Sequence, residues 1–221
     1  RFESLIPPGA LRSAALSITD NNKIKSEINK KIDVKFIEFN DMESFDIEIS
    51  KGDVSSVIFE SIQGVGGLDQ PSVEFVKYIS KKCKKHNTCL IADEVQSGFG
   101  RSGDFFVFQK YNINPDIICM AKGMGNGFPV GGILIKNHIN SSFGMLGTTF
   151  GGNHLACSAV LAVLKTLKDE NLLENSIQME KYFRDKISKI SSVVRIKGRG
   201  LMLGIEFNFK AAELRKNLIF K

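Results

Sequence analysis

Residues 72–94, SVEFVKYISKKCKKHNTCLIADE, hold two patterns back to back. As far as Asn87 the apolar residues recur at helical spacing. From Thr88 to Glu94 the chain is apolar at nearly every position until it ends in two carboxylates. Similar short runs occur at SSVIFE (55–60), DIICMAK (116–122) and GGILIK (131–136). Runs of this kind suit strands covered on both faces, so the expectation is an α/β fold with a mostly parallel sheet and helices between its strands.

The pattern changes after Asn153. HLACSAVLAVLKTLKDENLLENSIQMEKYFRDKISKI (154–190) reads as one long helix or two consecutive ones, and VVRIKGRGLMLGIEFNF (193–209) alternates like a strand pair around Gly198 and Gly200. A domain boundary is expected near residue 165, with a large domain over 1–165 and the start of a small α+β domain over 166–221. There is no internal repeat and no low-complexity linker.

Composition narrows the function classes. The 221 residues are 43% hydrophobic and 24% charged, which is ordinary for a globular protein. No run approaches the roughly 18 apolar residues of a membrane span, and RFESLIPPGALRS lacks the basic-then-apolar pattern of a signal peptide. A cytoplasmic protein without a membrane partner is therefore expected. The four cysteines (Cys83, Cys89, Cys119, Cys157) have no CxxC spacing and the three histidines lie far apart, so reduced thiols and no metal site are expected. The formal charge of +6 is spread along the chain, and its densest run, KKCKKH, falls inside the helical pattern, where a solvated helix face explains it without nucleic acid.

In open α/β sheets ligands sit beyond the carboxyl ends of the strands. Glu60 ends the first run, Asp93 and Glu94 the second and Lys122 the third, where the chain enters the glycine-rich stretch KGMGNGFPVGG. A carboxylate and a lysine at neighbouring strand ends can be a structural ion pair. The functional alternative is a partly desolvated lysine whose lowered pKa lets its amine attack a carbonyl and form a Schiff base. The glycines would let backbone and a flat ligand approach closely. A competing motif, GFGRSG (Gly98–Gly103), matches the dinucleotide fingerprint letter for letter, which would indicate a nicotinamide-dependent oxidoreductase. Its context differs: DEVQS separates it from the strand, and no acidic residue ends a following strand about 20 residues on.

Four stretches taken in order, LIADEVQSGFGRSGDFF, PDIICMAKGMGNGFPVGG, GTTFGGNHLACSAVLAVL and KGRGLMLGIEF, resemble the class III pyridoxal-phosphate aminotransferases, and within them the acetylornithine and succinylornithine enzymes. The resemblance runs from about Ser13 to the end and covers about the middle half of such an enzyme. It implies fold-type I architecture and pyridoxal 5′-phosphate as cofactor. The implied reaction is transfer of the ω-amino group of an N-acylated ornithine to 2-oxoglutarate, in arginine biosynthesis. Lys122 would hold the cofactor covalently and then move the proton at the substrate carbon. Asp93 would contact the pyridine nitrogen, Val95 would pack on the ring and Gln96 would bond near the ring hydroxyl, with Glu94 as the supporting member of this cofactor segment. Thr149 would bind the cofactor phosphate across a homodimer interface with shared active sites, and Thr148 would touch substrate; a capped turn before a helix would also account for TTFGGN.

The departures are equally specific. The family's second glutamate in the stretch equivalent to ESIQGVGG is Val65 here, which puts charge-based substrate gating there in question. PPGALR does not supply the aromatic residue that stacks on the cofactor. The amino-terminal phosphate-binding turn and the carboxy-terminal arginine for the substrate carboxylate fall outside the chain. The expectation is therefore a fragment, or a remnant with a missing or replaced beginning, that is inactive by itself. Ornithine and 4-aminobutyrate are the alternative donors, and an inactive scaffold is the alternative of another class.

Overall fold

The computed structural model describes residues 34–64, 67–140 and 148–212, together with 214 and 217. The expectations placed on Val65 and on residues 1–33 lie outside these.

After helix α1 (Met42–Ile49), which Asp41 caps by accepting from the Ser44 amide at 2.9 Å, strand β1 runs over Ser56–Glu60. Helix α2 (Val73–His86) starts where the Ser72 hydroxyl accepts from the Phe75 amide at 3.1 Å, and it ends at Asn87 in the left-handed conformation. Glu74 sits in its first turn and Lys84, Lys85 and His86 in its last, the arrangement that the helix dipole favours. Phe75, Val76, Ile79 and Cys83 form its buried stripe. The first three contribute about 1.5–3 kcal/mol each relative to exposure. The basic run predicted to be a solvated face is the opposite side of this helix.

Strand β2 (Cys89–Asp93) pairs in parallel with β1, Glu60 opposite Asp93, and with β3 (Ile117–Met120), Asp93 opposite Cys119. Strand β4 (Gly132–Ile135) joins the other side of β3 antiparallel, giving the order β1-β2-β3-β4. The link from β3 to β4 holds one 3₁₀ turn, Lys122–Met124, and no α-helix. One face of the sheet carries Phe59, Leu90, Ala92 and Met120 into the main core under α1 and α2; the other gathers Ile91, Ile117 and Cys119.

The segment from Asn153 forms two consecutive helices, α3 (His154–Asp169) and α4 (Leu172–Ile187), followed by the hairpin β5 (Val193–Arg199) and β6 (Met202–Phe207), which makes a separate two-stranded sheet. Arg184 of α4 fastens the hairpin: its guanidinium donates to the Ile196 carbonyl at 3.0 Å and the Gly198 carbonyl at 2.8 Å, and it pairs with Glu180 at 2.8 Å. Among the described residues no helix is long and apolar enough to cross a membrane, and all four cysteines are free.

Candidate active site at the strand ends

Parallel pairing sets Glu60, Asp93 and Cys119 side by side, so their side chains share one face at the carboxyl edge of the sheet. Lys122 stands two residues beyond β3 rather than ending it. It opens a short 3₁₀ turn with φ of 50°. A side chain in the left-handed region costs on the order of 1–2 kcal/mol, and such conformations concentrate where function fixes the backbone. This turn leaves Lys122 exposed where a desolvated lysine was expected.

The charges feel one another without touching. Burial pushes the Asp93 carboxyl above its ordinary value, while the Val95 amide, donating to Asp93 Oδ1 at 2.9 Å, and the charge of Lys122 pull it back. Glu60 is raised by burial and by Asp93, and lowered by the Gly64 amide at 2.8 Å and by Lys122. Lys122 nevertheless makes no ion pair with either carboxylate among the described residues. The structural salt bridge that the sequence also allowed is therefore not formed, and among the described residues Asp93 keeps its second oxygen free. Cys119 beside it is neutral, its thiol pushed up to about 12 by burial and then by Asp93.

The other members of the segment divide by face. Val95 packs on the Ile91, Ile117 and Cys119 cluster, the same side as Asp93. Glu94 follows Ala92 into the main core and is 0% exposed. Its oxygens accept from Ser61 Oγ at 3.2 Å, Ser97 Oγ at 2.6 Å and the Phe108 amide at 2.9 Å. All of its contacts are internal, in keeping with the supporting role expected of it. The Gln96 side chain lies so close over Gly64 that a Cβ at that glycine would run into its amide, and the Gln96 amide itself has no hydrogen-bond partner among the described residues. Glu60 thus holds Gly64, and Gly64 seats Gln96. The sequence reading missed this arrangement; the glycine in SIQGVGG was the available signal.

Gly98–Gly103 forms successive turns and opens no helix, so the dinucleotide reading loses its structural context. Its glycines make room for neighbours instead. A Cβ on Gly98 would stand 2.8 Å from the Glu94 carbonyl oxygen, and one on Gly100 would stand 3.2 Å from Leu167 and 3.3 Å from Leu173. The β5–β6 turn docks on the same loop: Leu201 N donates to Arg101 O at 2.8 Å, Arg199 Nε to Ser102 O at 3.2 Å, and the Arg199 guanidinium pairs with Asp104 at 2.8 Å. Between the loop and helices α3 and α4 opens a cavity of about 590 Å³ whose lining includes Lys122 and Gln96 but not Asp93. Thr148 and Thr149 are exposed in the turn before α3 and line no part of this cavity; Asn153 caps that helix by accepting from the Ala156 amide at 3.0 Å.

Comparison with known proteins bears on this arrangement directly. The family model described as Aminotransferase class-III matches residues 8–219. An acetylornithine aminotransferase of Clostridium acetobutylicum is 40% identical over 200 residues, 87% of this chain and 51% of the relative. Among solved structures, an acetylornithine aminotransferase from Elizabethkingia anophelis superposes with a TM-score of 0.73 at 32% identity, covering 82% of this chain and 50% of that one. An ornithine aminotransferase from Plasmodium yoelii gives 0.71 at 32% identity, covering 78% and 48%. The chain spans about half the length of the curated relatives it matches.

Proposed function

Since the chain belongs to the class-III aminotransferase family, we propose that it carries the central part of a pyridoxal-phosphate-dependent transaminase acting on an N-acylated ornithine, N-acetylornithine or N-succinylornithine, with 2-oxoglutarate as amino acceptor. One observation supports this above the others. Lys122 is presented on a left-handed turn, within electrostatic reach of Asp93 and Glu60 yet bonded to neither.

The residues present fit the cofactor. Among the described residues, a carboxylate with one free oxygen, a lysine that pairs with no carboxylate and an unpartnered Gln96 amide converge at the strand ends, with Gly64 and the Gly123–Gly132 loop keeping the backbone low around them. Lys122 would hold pyridoxal phosphate covalently, Asp93 would face its ring nitrogen, Val95 its ring and Gln96 its ring hydroxyl, with Glu94 anchoring the segment from the core side. When bound, the cofactor supplies an electron-withdrawing ring that stabilises negative charge on the substrate carbon. Lys122 Nζ then serves as the base that takes a proton from the donor carbon and returns it during transfer. Asp93 would keep the ring nitrogen protonated, and its Val95 hydrogen bond fixes which oxygen is available. The donor leaves as a semialdehyde and 2-oxoglutarate as glutamate.

Thr149 is assigned to the cofactor phosphate of a partner subunit and Thr148 to substrate, in a homodimer. Phe150 at 79% and Leu155 at 72% exposure give that turn the apolar surface such an interface buries; sedimentation at twice the chain mass is the expected result. The division near residue 165 belongs to the same proposal. Helix α3 runs through it, and the two-stranded sheet lies beyond it.

Borohydride reduction of the chain with pyridoxal phosphate, followed by peptide mapping, should place the pyridoxyl group on Lys122 and show none in Lys122→Ala. A label on another lysine overturns the assignment. Ornithine, the donor named for the Plasmodium yoelii relative, is the second reading, and parallel assays with N-acetylornithine, ornithine and 4-aminobutyrate decide between them.

A further inference from the structure

The hairpin β5–β6 meets the loops around the site from two sides. On one, Arg199 and Leu201 hold the Gly98–Gly103 loop. On the other stands Lys197, whose side chain is 16% exposed and whose ammonium lies 3.0 Å from Asp69 Oδ1 and 2.7 Å from Glu206 Oε1. Hydrogen bonds to Glu206 and then Asp69 raise this ammonium above its ordinary value, so it stays charged. Glu206 belongs to the hairpin itself, whereas Asp69 lies 128 positions earlier in the chain.

Asp69 is part of a neck. Gln63 N donates to Asp69 O at 3.0 Å and Leu68 N to Gln63 O at 3.0 Å. Leu68 has φ of 64°, a left-handed conformation that surrounding contacts must sustain. Leu68 packs on the main core, and the hairpin meets it at Gly204, where a Cβ would stand 3.0 Å from Leu68 Cδ1. Beyond the neck, Gly64 N donates to Glu60 at 2.8 Å and Gly64 lies under the Gln96 side chain. The Gln96 amide has no hydrogen-bond partner among the described residues, so packing sets where it stands. A shift of the neck therefore reaches Gln96 with no hydrogen bond to resist it.

Asp69 and Glu206 are both partly exposed, and ion pairs of this kind contribute little to stability by themselves. The weight of Lys197 lies in geometry. Without its charge, two carboxylates face each other across the contact between hairpin and neck, and their repulsion drives the two apart.

We propose that Lys197 is a positioning residue: by joining Asp69 to the hairpin it fixes the neck at Gln63, Leu68 and Asp69, and through Gly64 it holds Gln96 at the cavity that Gln96 lines with Lys122. That Gln96 serves the cofactor rests on the transaminase reading; the ordering of the neck by Lys197 does not.

Two measurements on the full chain test this. Amide hydrogen exchange at Gln63, Gly64 and Leu68 should quicken about tenfold or more in Lys197→Met, with the interior of α2 unchanged. The concentration of pyridoxal phosphate that half-saturates the borohydride-trapped label on Lys122 should rise about tenfold. Asp69→Asn should reproduce both effects, and combining it with Lys197→Met should add little, as one shared contact requires. Lys197→Arg, which keeps the charge between the two carboxylates, should restore most of the wild-type values. With Asp69→Asn it decides the matter if Lys197→Met does not fold. A lower melting temperature with neck exchange and label saturation both unchanged makes Lys197 a structural residue only and overturns the proposal, as do additive effects of the two single changes. Quickened exchange with unchanged label saturation overturns the link to Gln96. If the wild type takes no label on Lys122, the transaminase reading falls, and exchange at the neck alone decides the role of Lys197.

Discussion

Two adjoining stretches after β2 use their residues in opposite ways. In Asp93–Gln96 charge is left incompletely matched: Asp93 is half-buried, raised by burial, and keeps one oxygen unbonded among the described residues. In Gly98–Gly103 the space is filled. Gly100 meets Leu167 and Leu173, Gly103 meets Ile177, and the Gly200 turn presses on Ser102. A glycine motif and a carboxylate pair both suggest ligand binding in a sequence, but here the glycines make room for packed neighbours, whereas Asp93 keeps hydrogen-bonding capacity unspent among the described residues. The filled region supports it by fixing where Gln96 and Arg101 stand.

Asp93→Ala tests the first half of that contrast and should have the largest effect. Transamination should fall by about 10²–10³-fold, the usual result of losing a preorganised electrostatic partner, with Asp93→Glu retaining more. Stability should move the other way. Because burial raises the Asp93 carboxyl, the folded state favours its protonated form; this stabilising contribution is complete below the ordinary 3.8 and is lost as pH rises through the folded value. Removing the group should therefore leave the melting temperature at pH 7 unchanged or higher. A variant that keeps its turnover shows that ring protonation does not depend on Asp93; one that loses turnover and melts earlier shows a structural role instead.

Gly200→Ala tests the filled half. Gly200 has φ of +58°, and a Cβ there would collide with the Ser102 backbone, which cannot yield as a side-chain tip can. Overpacking of about 1–3 kcal/mol adds to a left-handed penalty of about 1–2 kcal/mol. The denaturation midpoint should drop accordingly, and the hydrogen bond from Gly200 N to Glu180 at 2.6 Å should be strained. Gly103→Ala, at φ of +89°, carries a backbone penalty as well, but its overpacking should cost less, since its obstacle is the Ile177 side chain and not backbone. If both variants unfold at the wild-type midpoint, the loop is not a packing dock.

The fold was legible because its signals are local. The Ser72 cap, the stripe from Phe75 to Cys83 and the Asn87 stop mark α2 within the sequence, and the apolar runs mark all four strands. Glu60 and Asp93 were found as strand ends because strands end where apolar runs do. The antiparallel return of β4 was not specified. The seating of Gln96 on Gly64 and the docking of Gly98–Gly103 against α3, α4 and Gly200 were not legible, since they join residues far apart in the chain. The exposure of Lys122 was missed for a different reason. A lysine after an apolar run reads as enclosed, whereas the left-handed turn carries it away from the sheet.

Glu94 connects the two halves, and its glutamine variant should give the smallest effect, with a sign that depends on pH. Its carboxyl is fully buried and raised mainly by burial, against the lowering influence of Ser97, the Phe108 and Val107 amides and Ser61. Below the ordinary 4.5 the side chain is neutral in either state, and Glu94→Gln, which keeps a carbonyl oxygen for the Phe108 amide and lets the Ser97 hydroxyl turn to accept, should alter stability by under about 1 kcal/mol. As pH rises through the folded value, the wild type loses the stability that came from favouring the protonated form, and the glutamine variant does not. The difference in melting temperature between the two should therefore shift in favour of glutamine from pH 4 to pH 8. Glu94→Ala, which strands the Phe108 amide and the two serine hydroxyls, should be destabilising by more than Glu94→Gln at every pH, since each buried group left without a partner costs about 1–3 kcal/mol. A shift in favour of glutamate with rising pH would mean that the three donors outweigh burial and hold Glu94 ionised, a second negative charge directly behind Asp93. The quiet, filled side of the segment would then be setting the potential on its open side.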